Sequence, residues 1–229
     1  MELINDKISV LEERVSDLIA ENINNLAKER ERVVLAIPGG SSVKGIFYNL
    51  RQGNICWEKV HIFMVDERLV PLDSEESNFR LAKESFIDGL LSRELIYKEN
   101  INHFLYDALN KEDCVREYSK DLEKVGGRFD IVLLSSGEDG HVGALYPNHP
   151  SIKDDSEFYI YVDDSPKPPP KRMSASRRLI EKSDLGILLF FGDKKRKAYE
   201  NFLDNSLGIY DCPAKIVNSV RRPYVFVGT

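Results

Sequence analysis

The chain reads as an α/β protein built on a mainly parallel sheet, and three observations carry that reading. Apolar runs of strand length alternate with amphipathic helical segments almost to the end of the sequence. The run Ile131–Leu134 is branched and apolar throughout, so a strand there needs cover on both faces, as in a parallel sheet. The apolar runs also pass straight into turns rich in glycine and charge, and open parallel sheets hold their ligands at the carboxyl ends of their strands.

The elements follow in order. Residues 3–30 place Ile4, Ile8, Leu11, Val15, Leu18, Ile19, Ile23 and Leu26 at steps of three and four, which predicts one long amphipathic helix with a buried stripe. Val33–Ile37 is a short strand closed by Pro38-Gly39-Gly40, and a helix starting near Ser41-Ser42 turns Val43, Ile46, Phe47 and Leu50 inward. Val60–Val65 is the next strand, ending in Asp66-Glu67-Arg68. Ser77-Asn78 reads as the cap of a helix carrying Phe79, Leu81, Ala82 and Phe86. A helix from about Glu112 to Val125 stops at Gly126-Gly127. After the strand at 131–134, Phe158–Val162 and Leu185–Phe191 are strand-like, Lys194–Leu203 is a helix and Tyr224–Val227 a last strand. With no internal repeat and no Gly/Ser linker, one domain over residues 1–229 is expected.

Composition bounds the function. A net charge of −6 argues against nucleic acid held by the overall field, although basic clusters stand at Lys167–Arg178 and Lys194–Lys197. No apolar run has membrane-spanning length, and the acidic amphipathic start is unlike a signal peptide. Cys56, Cys114 and Cys212 are odd in number and far apart, which predicts reduced thiols in a cytoplasmic protein. The four histidines form no metal-ligand spacing, so no metal site is expected.

The polar strand ends are where chemistry is expected. They are PGGSS (38–42), DERLVP (66–71), GEDGH (137–141) and, after the strand near 160, SPKPPPKR (165–172). Each has an ordinary explanation: a tight turn, a solvated charge cluster, a capping Asp139 with a surface His141, a rigid proline connector. Lys194–Lys197 likewise reads as a solvated helix face. Together they point to an anionic ligand. Gly39 and Gly40 let backbone N–H groups approach an anion at a helix start, and Ser41 and Ser42 add hydroxyl donors. Arg68, Lys167 and Arg172 supply charge, with prolines holding Lys167 in place. His141, with Asp139 beside it, is the natural proton acceptor or donor at neutral pH.

In these blocks and in this order the sequence resembles the 6-phosphogluconolactonase family. GGSS (39–42) is similar to its phosphate loop, VDERLVP (65–71) with ESN (76–78) to its DER…SN block, GEDGHVGALYP (137–147) to G-x-DGHTASLFP, and SPKPPPKRMS (165–174) to SPKPPPxRIT. FGDKKRKA (191–198) and CPAKIV (212–217) are weaker echoes. Departures stand at Ser135-Ser136 for Gly-Met, at Glu138 for Pro and at Val142-Gly143-Ala144 for Thr-Ala-Ser, while Asp-Gly-His is kept.

The resemblance implies a three-layer αβα sandwich with a mainly parallel, Rossmann-like sheet. It also implies hydrolysis of 6-phospho-D-glucono-1,5-lactone, the second step of the oxidative pentose phosphate pathway. His141 would activate water, and Asp139 would orient the imidazole or shape the turn. Arg68 would serve the oxyanion or the phosphate. Gly39, Gly40, Ser41, Ser42, Lys167 and Arg172, with Asp66 beside them, would bind the substrate. The chain has no G-x-S-x-G elbow, consistent with water as the direct nucleophile. No cofactor is expected, since GGSS lacks G-x-G-x-x-G and an acid at ribose distance. The expected partner is the sugar-phosphate lactone, without nucleic acid or membrane, and a monomer is favoured over an oligomer. Two other readings stand beside it: a glucosamine-6-phosphate deaminase, whose pattern after Asp-Gly-His runs like IAFNEP where this chain has VGALYP, and a non-catalytic sugar-phosphate module, which would need no base.

Overall fold

A computed structural model describes residues 1–107 and 109–228. The first departure from the sequence reading comes at once. Residues 3–30 are not one helix: Glu2–Asp6 form strand β1, and the helix α1 runs from Ile8 to Glu29. Ile4 fits the helical stripe by spacing, but it is paired in parallel with Phe226, where a sheet edge offers backbone partners that a helical turn would forgo. Downstream the stripe holds, with Leu11, Val15, Ile19 and Ile23 fully buried.

The remaining elements are β2 (Val33–Ile37), α2 (Lys44–Gln52), β3 (Val60–Met64), β4 (Asp66–Arg68), α3 (Asn78–Ala82), α4 (Asp88–Ser92), α5 (Lys111–Lys124), β5 (Ile131–Ser135), β6 (Tyr159–Val162), β7 (Arg172–Ala175), α6 (Arg177–Glu181), β8 (Leu185–Phe191), α7 (Arg196–Leu203) and β9 (Arg222–Gly228). A π-helical turn, Lys83–Ile87, joins α3 to α4, so the helix expected after Ser77 is longer and locally widened. Six strands make one parallel sheet in the order β1-β9-β8-β5-β2-β3. Every residue of β2 and β8 is buried, as double-sided cover requires. Helices lie on both faces. Phe190 stacks on Tyr199 and Phe202 of α7. A Cβ on Gly228, which pairs with Phe191, would instead meet Ile8 and Leu11 of α1. Adjacent residues of a strand face opposite ways, so α1 and α7 cover opposite sides.

Three strands expected from sequence to continue the main array, or not expected at all, form a separate antiparallel sheet, β4-β7-β6. The DER segment is itself β4, β6 is the strand expected near 160, and β7 and α6 had no periodic signal strong enough to announce them. A phenol pair locks this sheet to the main one. Tyr159 Oη donates to Met64 O (3.1 Å), and Tyr118 Oη accepts from Met64 N (2.8 Å) at the end of β3. The two rings sit 4.7 Å apart. Ala175 N donates to Val65 O (2.6 Å), so the chain leaving β3 is held against β7 just before Asp66. Among the described residues, no helix is long and apolar enough to cross a membrane.

Candidate active site

The sheet order places the site. From β2 the chain moves outward to β3, then returns to the other side of β2 for β5, so successive connections diverge between β2 and β5. A crevice opens at such a point at the carboxyl ends of the strands. Here it receives Pro38–Ser42 from β2, Ser135–Glu138 and His141 from β5, Asp66 and Arg68 from β4, and Lys195 from the turn after β8, around an open cavity of about 340 Å³. Lys167, from the loop between β6 and β7, and Arg172, at the start of β7, complete its wall. The structure therefore gathers most of the predicted residues, from segments more than 100 positions apart, into one cavity wall. Asp139 stands just behind that wall and touches the site through its partners.

The phosphate-loop candidates begin at a tight approach. A Cβ on Gly39 would lie 1.9 Å from Asn78 Oδ1, so only glycine lets this strand end pass beneath the Asn78 side chain. The N–H groups of Gly39 and Gly40 donate to no protein acceptor among the described residues, and the chain then enters a 3₁₀ turn (Ser41–Val43) leading into α2. That is the geometry of an anion seat at a helix start. From sequence Asn78 is a helix cap and part of the DER…SN block, with no binding role. Its amide in fact reaches back to donate to Asp66 O (2.9 Å) and lines the cavity.

At the end of β5 the turn carries His141. Its Nδ1 lies 2.5 Å from Asp139 Oδ1, and its backbone N–H also donates to that oxygen (3.2 Å). An ionised carboxylate only accepts, so Nδ1 carries the hydrogen, and the neutral form of the ring keeps its lone pair on Nε2. Gly137 packs so closely on the ring that a Cβ there would fall 2.0 Å from Nδ1, while the Tyr146 ring lies 4.8 Å away. The imidazole is thus held by a carboxylate, a glycine and a phenol ring. Burial alone would push the Asp139 carboxyl up, but the hydrogen bonds and charge of His141, with Lys167 beyond it, hold it well below the usual carboxylate range.

The cations differ in what they are free to do. Arg172 is 3% exposed and spends Nε and Nη2 on the carbonyls of Pro169 (2.8 Å) and Pro168 (2.9 Å), with Lys167 O at 3.4 Å. Only Nη1 remains, facing Asp66 at 3.8 Å, so Arg172 shapes the proline loop as much as it faces the cavity. Arg68 donates from Nη1 to Glu76 O (2.7 Å), but its buried Nε has no partner among the described residues. The buried Glu67 accepts from the N–H groups of Arg68, Asn78 and Phe79 and from Ser77 Oγ, which ties β4 to the start of α3. Burial pushes the Glu67 carboxyl up despite those donors.

Lys195 corrects the sequence reading. Lys194, Arg196 and Lys197 are exposed as a solvated face should be, but Lys195 turns inward, donates to Ser136 O (2.5 Å) and lines the cavity. Burial pushes its ammonium down from the ordinary lysine range. The available signal was its place: Gly192 ends β8 as Gly39-Gly40 end β2, so residues just after it had to reach the same edge. Four cations and the carboxylates of Asp66 and Glu138 line the cavity, making it electropositive in a chain whose net charge is −6.

These features define an α/β protein of the parallel-sheet type whose crevice at the carboxyl edge of the sheet is lined with cations and free amides and abutted by a carboxylate-held histidine. More particularly, the chain belongs to the family described as glucosamine-6-phosphate isomerases/6-phosphogluconolactonase, whose sequence model matches residues 6–225. It is 31% identical to a 6-phosphogluconolactonase of Borreliella burgdorferi over 94% of this chain and 90% of that one. It is 34% identical to a probable chloroplastic 6-phosphogluconolactonase of Oryza sativa, across 81% of this chain and 61% of that longer protein. The crystal structure of 6-phosphogluconolactonase from Thermotoga maritima superposes with a TM-score of 0.83 at 26% identity, covering 99% and 98% of the two chains.

Proposed function

We propose that this protein hydrolyses 6-phospho-D-glucono-1,5-lactone to 6-phospho-D-gluconate. The observation that carries the reading is the His141–Asp139 pair, held rigid beside a crevice lined with cations and free amides at the carboxyl edge of the sheet. Family membership and similarity to 6-phosphogluconolactonases support it.

The substrate's phosphate lies on the Gly39–Ser42 loop, with Lys195, Lys167 and Arg172 around it, which directs the lactone ring toward His141. His141 Nε2 takes a proton from water as the oxygen attacks C1, and the carbonyl becomes a tetrahedral oxyanion. Arg68, whose side chain lines the cavity, is the donor for that oxyanion. As the ring C–O bond breaks, the imidazolium returns its proton to the departing ring oxygen, leaving the free acid. Asp139 keeps Nδ1 protonated throughout and stabilises the imidazolium between the two transfers. A lactone carbonyl is already electrophilic, so one base suffices.

The test is hydrolysis of freshly generated lactone, read through coupled oxidation of the product with the spontaneous rate subtracted. His141→Asn is expected to lower kcat by roughly 10²–10⁴-fold with little change in KM. Near-normal turnover in that variant would remove His141 from the role. Well-folded wild type that does not accelerate the reaction would sink the lactonase reading itself.

A further inference from the structure

The Asp139 carboxylate is shared between two partners. Oδ1 holds His141 Nδ1 at 2.5 Å, while Oδ2 lies 3.5 Å from Lys167 Nζ. The two nitrogens therefore draw on one negative charge. Lys167 has no other carboxylate partner among the described residues, and its side chain is 45% exposed at the cavity wall. Its backbone, by contrast, is fixed: Lys167 N donates to Ser165 Oγ (3.2 Å), and Lys167 O accepts from Ser165 Oγ (2.9 Å). The ammonium is thus carried on a flexible four-carbon stem from a fixed point, within reach of both Asp139 and the cavity. Lys195, the other lysine in the wall, is anchored by one of its three donors to Ser136 O and has no bond to Asp139.

We infer that Lys167 couples recognition of the substrate's phosphate to the strength of the base: it rests on Asp139 in the empty site, and a bound phosphate draws it away, returning the carboxylate's charge to His141. The inference rests on His141 being the base. When His141 takes the proton of water it becomes a cation, and Asp139 stabilises that cation fully only when no ammonium offsets its charge. The Tyr146 ring packs on the imidazole, and the other titratable groups around the same cavity are Glu138 on the same turn, Lys195 from the turn after β8, and Asp66, Arg68 and Arg172 from the small sheet. None of these touches Asp139 as Lys167 does. The phosphate thereby contributes to turnover and not to binding alone, so a lactone without it is hydrolysed by a weakened base.

Lys167→Met separates this role from a plain phosphate contact. On 6-phosphogluconolactone the variant is expected to show a raised KM with kcat close to wild type. On unphosphorylated glucono-δ-lactone, kcat is expected to rise by roughly 3- to 30-fold over wild type, because Asp139 no longer shares its charge. A lysine that only binds phosphate or supports the loop produces no such gain, so an unchanged or lower rate overturns the inference. A second measurement needs no turnover. The His141 Nδ1 proton is expected to move downfield in the NMR spectrum of the wild type when inorganic phosphate is added. In Lys167→Met it should begin downfield and stay there. A proton unmoved in wild type, or moved equally in both, refutes the coupling. Failure of the lactonase reading shows instead as a wild type inert toward both lactones.

Discussion

Replacing Gly39 by alanine puts a methyl carbon 1.9 Å from Asn78 Oδ1, 2.3 Å from Cγ and 2.9 Å from Cβ. The last contact decides the outcome, because Cβ cannot swing aside as a chain end can. Asn78 is 4% exposed, its N–H is bound to Glu67 and its amide to Asp66 O, so it yields only by giving up the Asp66 bond. Overpacking of this kind costs about 1–3 kcal/mol, and an orphaned buried carbonyl about 1–3 kcal/mol. One relieves part of the other, so Gly39→Ala is expected to destabilise the protein by about 2–4 kcal/mol. For a chain of this length that lowers Tm by roughly 4–16 °C. The Gly39-Gly40 amides shift with the clash, and KM for the phosphorylated lactone is expected to rise on the order of tenfold, equivalent to about 1.4 kcal/mol. Urea denaturation and initial rates measure the two effects. Asn78→Gly in the same background removes all three contacts, so the two substitutions together should cost less than the sum of each alone. Wild-type Tm and KM in Gly39→Ala, or strict additivity in the double variant, would refute the reasoning.

Two further substitutions test the site. Lys195→Met is expected to raise KM for the phosphorylated lactone by about tenfold or more while leaving kcat within about threefold and the urea midpoint nearly unchanged; an unaltered KM would return Lys195 to the solvated helix face. Asp139→Asn tests the electrostatics through pH. The Asp139 carboxyl is held below its ordinary value by His141 and Lys167 against the effect of burial, so its contribution is present in full above about pH 4 and is lost as pH falls through the lower folded-state value. The stability difference between wild type and Asp139→Asn, followed by denaturation at several pH values, should accordingly shrink below about pH 4, and a difference that grows there would contradict the assignment.

Much of this was legible in the chain itself. The branched run of β5, the apolar β2 and β8 and the stripe of α1 each report burial through composition or spacing. The strands are buried as expected, as are Leu11, Val15, Ile19 and Ile23 of the stripe, while Ile8, Leu18 and Leu26 are half-buried at its margins. GGSS, DER and GEDGH declare themselves because strand ends have little reason to carry such residues unless a ligand or a turn demands them. Other features left no local trace. Ile4 satisfies a helical period and a strand alike, and only β9 lying beside it selects the strand. Asp66–Arg68 is too short to show alternation, and its pairing with β7, more than 100 residues later, makes it a strand. Arg172 reads as a phosphate clamp by type, yet two of its nitrogens are taken by carbonyls of its own loop.

Lys195 makes the same point within a single helix turn. Its neighbours are cations of equal propensity, and which of the four faces the cavity depends on where Gly192 releases the chain relative to β5. Local sequence thus determined the fold class, the strand-end motifs and the histidine–aspartate turn, because burial and turn chemistry act over a few residues. The second sheet, the sharing of Asp139 between His141 and Lys167, and the inward lysine were decided by tertiary structure alone, because each depends on a distance between segments that the intervening chain does not encode locally.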